Sequence, residues 1–134
     1  MSATFVDTNV LLDLVTNDET WADWSERQLD AASIRGPLVF NDIVYAELSV
    51  RFAAIEALDE FIGVASLERA PMPRPALFLA AKAFQAYRTS GGVRTGVLPD
   101  FFIGAHAAVE SLPLLTRDVQ RYRRYFPRLT LIAP

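Results

Sequence analysis

Thr4-Phe5-Val6-Asp7 is a short apolar run that stops at an acid, and Pro113-Leu114-Leu115-Thr116-Arg117-Asp118 is another near the far end of the chain. Each reads as a buried strand. Leu38-Val39-Phe40, freed from what precedes it by the Gly36-Pro37 break, reads as a third such strand, and Leu129-Thr130-Leu131-Ile132 as the last. Helical stretches fill the intervals. Leu11 to Val15 is short, and Asp18 is placed to cap a second helix that sets Trp21, Trp24, Leu29 and Ala32 broadly on one side. Val44, Leu48, Phe52 and Ile55 form a core-facing stripe, and Leu58, Phe61 and Ile62 mark a further helix ending near Pro71-Met72-Pro73-Arg74-Pro75. A helix from Ala76 to Arg88 shows Leu77, Ala80, Phe84 and Tyr87 on one face, Ser90-Gly91-Gly92 ends it, and Val93 to Leu98 reads as a loop. Pro99 suits the first position of the next helix, whose body, Phe101 to Val109, is apolar on nearly every side and belongs in the interior. A short basic helix, Val119 to Tyr125, precedes the last strand. Strands that are continuous apolar runs alternating with helices predict an α/β fold: a central parallel sheet flanked by helices on both faces. No repeat or long linker interrupts it, so residues 1–134 read as a single domain.

Composition narrows the chemistry. The 134 residues contain no cysteine and one histidine, His106, which removes disulfides, thiolate metal sites, Cys nucleophiles and any multi-His metal site. Metal chemistry, if present, must use oxygen ligands, pointing to magnesium, manganese or calcium. No run approaches the ~18 apolar residues of a membrane span, so the chain reads as soluble and cytoplasmic. The net charge of −3 hides a division: residues 1–70 carry 4 basic and 13 acidic side chains, residues 71–134 carry 9 and 3. All but one of the basic residues, Lys82, are arginines, which suit planar contact with phosphate or carboxylate.

Ligands of open parallel sheets bind beyond the carboxyl ends of the strands, around a switch in strand order. Asp7 directly follows the first strand and Asp118 lies two residues past Thr116, so parallel strands deliver both to one edge. Glu47 falls on the flank of the Val44–Leu48 stripe, where a carboxylate is costly without a cation or donors. Asp100 opens a helix whose body is apolar. Each has an ordinary explanation alone: a cap, a first-turn acid favoured by the helix dipole, a pair with Arg51 at i+4. Together they imply a cation, because like charges within a few Å disfavour ionisation. Acids surrounding a phosphate substrate make sense only through metals that polarise a phosphodiester and activate water.

Phe5-Val6-Asp7-Thr8-Asn9-Val10-Leu11-Leu12, Glu47 within Val44-Tyr45-Ala46-Glu47-Leu48, Pro99-Asp100-Phe101-Phe102-Ile103-Gly104-Ala105-His106-Ala107, and Leu114-Leu115-Thr116-Arg117-Asp118 together resemble the PIN-domain nucleases, and most closely the VapC-type toxins of toxin–antitoxin pairs. The resemblance runs from the first strand to the last. It implies a three-layer α/β domain and a Mg2+- or Mn2+-dependent endoribonuclease, a hydrolase, with Asp7, Glu47, Asp100 and Asp118 as the catalytic, metal-holding quartet. Thr8 and Asn9 would shape the turn beside Asp7, and Thr116 is the polar residue that accompanies the fourth acid. The family further implies an RNA substrate, a homodimer, and a cognate VapB-type antitoxin that inserts a segment, often bearing an arginine, into the acidic site. Trp21, Trp24 and Phe52 are candidate apolar contacts for it.

Arg117, Arg121, Arg123, Arg124 and Arg128 could form an RNA-facing rim, with Arg117, Arg121 and Arg124 the first choices; a solvated amphipathic helix backed by Tyr122, Tyr125 and Phe126 is the plainer account. His106, alone in an apolar helix, reads as a core residue with a satisfied ring. Two rivals remain open. One is a catalytically silent PIN-like module that only binds RNA or protein. The other is a phosphatase-like or phosphoacceptor domain using Asp7 as nucleophile, which wants a second acid at the position held by Asn9, or a lysine near the last strands where none occurs.

Overall fold

The computed structural model describes residues 2–94 and 96–134. Thr95, inside the loop expected over Val93 to Leu98, lies outside the described residues. The elements run β1 (Thr4–Val6), α1 (Thr8–Val15), α2 (Ala22–Arg35), β2 (Leu38–Phe40), α3 (Asp42–Ser49), α4 (Ile55–Val64), β3 (Leu67–Arg69), α5 (Arg74–Thr89), α6 (Leu98–Val109), β4 (Leu114–Leu115), α7 (Gln120–Tyr125) and β5 (Leu131–Ile132). The sheet is parallel throughout, in the order β3-β2-β1-β4-β5, with seven helices flanking it among the described residues. None of those helices is long and apolar enough to cross a membrane.

This order decides where a ligand can go. From β1 the chain builds outward through β2 to β3, then returns to lay β4 on the other side of β1. The switch in direction falls between β1 and β4, and the crevice beyond their carboxyl ends is the expected binding position. Phe5 pairs with Leu114 and Val6 with Leu115; one step further the Asp7 N–H donates to the Leu115 carbonyl at 2.9 Å. Asp7 and Thr116 therefore leave adjacent strands side by side.

The core follows the apolar runs. Phe5, Val6, Leu114 and Leu115 are fully buried, as are Phe101, Ile103, Ala105 and Ala107 of α6, the helix that reads as interior from its sequence. α5 packs on α6 through Ala76, Ala80 and Ala83, small residues that let two helices approach closely. Leu77, expected on that face, points outward instead.

The structure departs from the sequence reading in three further places. β3 is an additional edge strand with only Leu67 buried, so it lacks the apolar run of the inner strands. The expected stripe from Val44 to Ile55 is divided: α3 stops at Ser49, and Ile55 opens α4 well exposed. Asp18 accepts from the N–H groups of Thr20 and Trp21, capping the turn that leads into α2 without being the residue that immediately precedes it.

Candidate active site

Asp7 ends β1 and caps α1, its Oδ1 accepting from the Thr8 N–H at 2.8 Å. Its Oδ2 takes three further donors: the Thr116 hydroxyl at 2.7 Å, the Tyr122 phenol at 2.9 Å and the Asn9 amide at 3.3 Å. The Thr116 oxygen in turn accepts from the Asp118 N–H at 3.0 Å. One carboxylate is thus held by donors from α1, α7 and the end of β4, all of them neutral. Burial pushes its pKa up to about 6, against the lowering effect of the Thr116, Tyr122 and Thr8 hydrogen bonds, with the charge of Glu47 adding to the rise.

Glu47 lies on α3, half-buried, and accepts from the Thr8 hydroxyl at 2.7 Å. Its helix starts at a cap set by Asn41, whose Oδ1 accepts from the N–H groups of Ile43 and Val44. With that oxygen committed, the Asn41 amide donates toward Nδ1 of His106 at 3.2 Å, which assigns the His106 proton to Nε2. His106 is buried against the edge of Phe5, as the core reading anticipates, but its Nε2 has no partner among the described residues. Burial also lowers its pKa.

Asp100 sits in the first turn of α6, with Asp118 just past β4. Burial pushes the Asp100 pKa up to about 7; the charges of Asp7, Asp118 and Glu47 push the same way and Arg121 opposes them. Arg121 donates to Asp100 Oδ2 and lies 3.5 Å from Asp118 Oδ2. Thr8 thus ties Glu47 to Asp7, Thr116 ties Asp7 to the Asp118 backbone, and Arg121 pairs with Asp100 and Asp118.

The arginine rim is divided by the structure. Arg117 forks onto the buried Asp13 at 2.7 and 2.9 Å, lies over the Trp21 ring, and gives its N–H to Asn9 Oδ1, so its guanidinium serves the fold. Arg121 turns inward to the acids. Arg123, Arg124 and Arg128 remain exposed, Arg124 lying over the Tyr125 ring. Tyr122, assigned from sequence only to the buried side of its helix, is fully buried and reaches the most enclosed of the four acids. Burial and the charges of Asp7 and Asp100 hold its phenol well above the usual range, which keeps it a donor. The usable signal was general: a buried tyrosine finds a partner for its hydroxyl. Gly104 makes this seating possible, since a Cβ there would lie 2.6 Å from the Phe126 ring and 3.0 Å from that of Tyr122.

The donor set is chemically suited to a hard divalent ion: every candidate ligand is a carboxylate, and Oδ1 of Asp7 carries a single hydrogen bond. As arranged, no group of three or more acids or histidines among the described residues is drawn close enough to hold one.

A family model, that of the PIN domain, matches residues 4–127. No curated protein matches the chain in sequence. Among solved structures, the chain is similar to VapBC2 from Rickettsia felis bound to a DNA fragment from their promoter, with a TM-score of 0.74 and 18% identity over 98% of each chain. VapBC-1 from nontypeable Haemophilus influenzae gives 0.72 and 18%, over 98% of this chain and 97% of that one. FitAcB from Neisseria gonorrhoeae gives 0.67 and 17%, over 96% of each. At such identities the likeness is one of fold.

Proposed function

The chain belongs to the PIN-domain family, and from that premise we propose that it is a metal-dependent endoribonuclease of the VapC toxin type, hydrolysing RNA phosphodiester bonds. The observation that supports this reading is a chain of contacts beside the β1/β4 switch point: Thr8 links Asp7 to Glu47, Thr116 links Asp7 to the Asp118 backbone, and Arg121 links Asp118 to Asp100. A protein that only bound a polyanion would gain nothing from four acids placed there. The candidate ligands are Asp7, Asp100, Glu47 and Asp118, and the candidate ion is Mg2+ or Mn2+. When bound, such an ion polarises a scissile phosphate and makes water a stronger nucleophile near neutral pH.

The chain's own residues do the positioning. Thr116, Tyr122 and Asn9 fix one oxygen of Asp7 and leave the other with a single hydrogen bond. Thr8 holds Glu47 while its N–H holds Asp7, so two acids share one residue as their brace. The exposed Arg123, Arg124 and Arg128 supply backbone contacts that hold a strand without reading its sequence. A VapB-type antitoxin is part of the proposal, supported by the likeness to the VapBC structures; a homodimeric state is proposed with it, from the family resemblance.

One observation favours the catalytically silent alternative: no three acids among the described residues stand close enough to hold an ion as arranged. The test is cleavage of a structured RNA mixture by purified protein in Mg2+ or Mn2+ against EDTA, with Asp7→Asn alongside. Cleavage that requires the metal and vanishes in the variant is expected. RNA binding without cleavage, equal in both proteins, sinks the nuclease reading in favour of a binding module.

A further inference from the structure

We propose that Arg121 is the resident cation of the acidic site, a built-in counter-ion that a divalent metal must displace before Asp100 and Asp118 can hold it. The inference rests on the metal-dependent reading above and concerns how the same site behaves when no metal is bound.

Arg121 bridges two acids delivered by different elements, donating to Oδ2 of Asp100 in the first turn of α6 and lying 3.5 Å from Oδ2 of Asp118 after β4. These are oxygens that an ion at this edge would need. A guanidinium stays charged at any pH the protein meets, so it cannot step aside by losing a proton. It and a metal ion are like charges competing for the same acceptors.

Nor is Arg121 a surface side chain that happens to lie across the crevice. Its side chain is 18% exposed, whereas Arg123 and Arg124 on the same helix are exposed. Its neighbour Tyr122 pins α7 in place, with the ring buried against Gly104 and the hydroxyl on Asp7. That anchor sets Arg121 at the mouth of the site. Among the described residues Asp100 and Asp118 form ion pairs with Arg121 alone, and Arg117, on the same stretch of chain, is forked onto Asp13. The same arrangement accounts for the lack of a ready-made three-acid metal cluster among the described residues.

The experiment is a Mn2+ titration followed by electron paramagnetic resonance of the free ion, without RNA, on the wild-type chain, Arg121→Gln and Arg121→Lys. Arg121→Gln should bind Mn2+ about tenfold more tightly, the ratio for removing one competing charge-assisted hydrogen bond. Arg121→Lys keeps the charge without the guanidinium and should fall between; it also carries the test if the glutamine variant folds poorly. Thermal melts add a second reading: in EDTA Arg121→Gln should melt below the wild type, and saturating Mn2+ should narrow or reverse the gap. Equal or weaker Mn2+ binding by both variants overturns the proposal. Tighter binding by Arg121→Gln, with no RNA cleavage by any of the proteins, upholds the counter-ion and sinks the nuclease. No Mn2+ binding by any of them removes both.

Discussion

Asp7 and Asp13 begin and line the same helix, and both are buried, but the molecule treats them in opposite ways. Asp13 has a cation: Arg117 forks onto both its oxygens, Ser25 adds a hydroxyl at 2.7 Å, and the guanidinium is backed by Trp21. Asp7 has only neutral donors, and the charge felt at it is that of another acid, Glu47. A buried carboxylate with a bidentate arginine is complete and ties elements together; here it joins α1, α2 and the loop after β4. A buried carboxylate with neutral donors and acidic neighbours is held in place at a cost, and that cost makes sense if something positive arrives. The contrast marks one cluster as scaffold and the other as site, although each is a buried aspartate at the same helix.

Substitution should separate them. Asp7→Asn should lower RNA cleavage by more than about a hundredfold, since even outer-shell partners of a metal cost 10- to 100-fold when removed. Its melting temperature at pH 7.5 in EDTA should fall by less than that of Asp13→Asn, because the amide removes a buried charge, which offsets the cost of turning one of two accepting oxygens toward a donor. Asp13→Asn should do the reverse. It strands a part-buried guanidinium and should cost about 3 kcal/mol of stability in chemical denaturation, while the fraction that stays folded cleaves RNA normally. A loss of cleavage at Asp13 without a loss of stability would break the distinction.

The pH dependence sharpens it further. Asp7 and Asp100 are raised to about 6 and about 7 in the folded chain, from 3.8 for each as an isolated group. Between those limits each binds more protons in the folded state than in the unfolded state, so their contribution to stability falls as pH rises from about 4 to about 7 and levels off above, against a smaller opposite contribution from His106, whose pKa burial lowers. In EDTA the drop should be at least about 2 kcal/mol, since moving one group's pKa by 1 is worth about 1.4 kcal/mol. Asp7→Asn should flatten the profile at its lower end and Asp100→Asn at its upper end. Denaturation midpoints at pH 5 and pH 8 are enough to check the sign.

The sequence made the acids legible because each follows a local rule: Asp7 ends an apolar run, Asp100 opens an apolar helix, Glu47 flanks a stripe, and Asp118 trails a strand. The parallel sheet was legible for the same reason, through strands too apolar to be anything but buried. Obscure features depend on distant partners. β3, Leu-Glu-Arg, needs no apolar run because it is an edge strand with one buried residue. Arg117 and Asp13 lie 104 residues apart, and Tyr122 and Asp7 115, so nothing local separates a brace or an anchor from a charge run on a solvated helix. Arg121 is the sharpest case. On its helix it looks like its exposed neighbours, and only the fold shows that it faces inward.

The smallest effect expected is at Tyr122, and it tests what the neutral donors around Asp7 are for. Tyr122→Phe keeps the ring that packs on Gly104 and removes one of the three donors to Asp7 Oδ2. If that oxygen's donors only fill a buried acceptor, the loss is about 1 kcal/mol of stability, with cleavage unchanged. If they also aim the carboxylate, removing one lets it rotate, and Mn2+ affinity falls by about tenfold, the low end for an outer-shell partner. The two outcomes differ in a direct metal titration, whatever happens to stability. We expect the second, because Thr116 and Asn9 approach from the end of β4 and from α1 while the phenol approaches from α7. Three donors from three elements define an orientation that two leave free to turn.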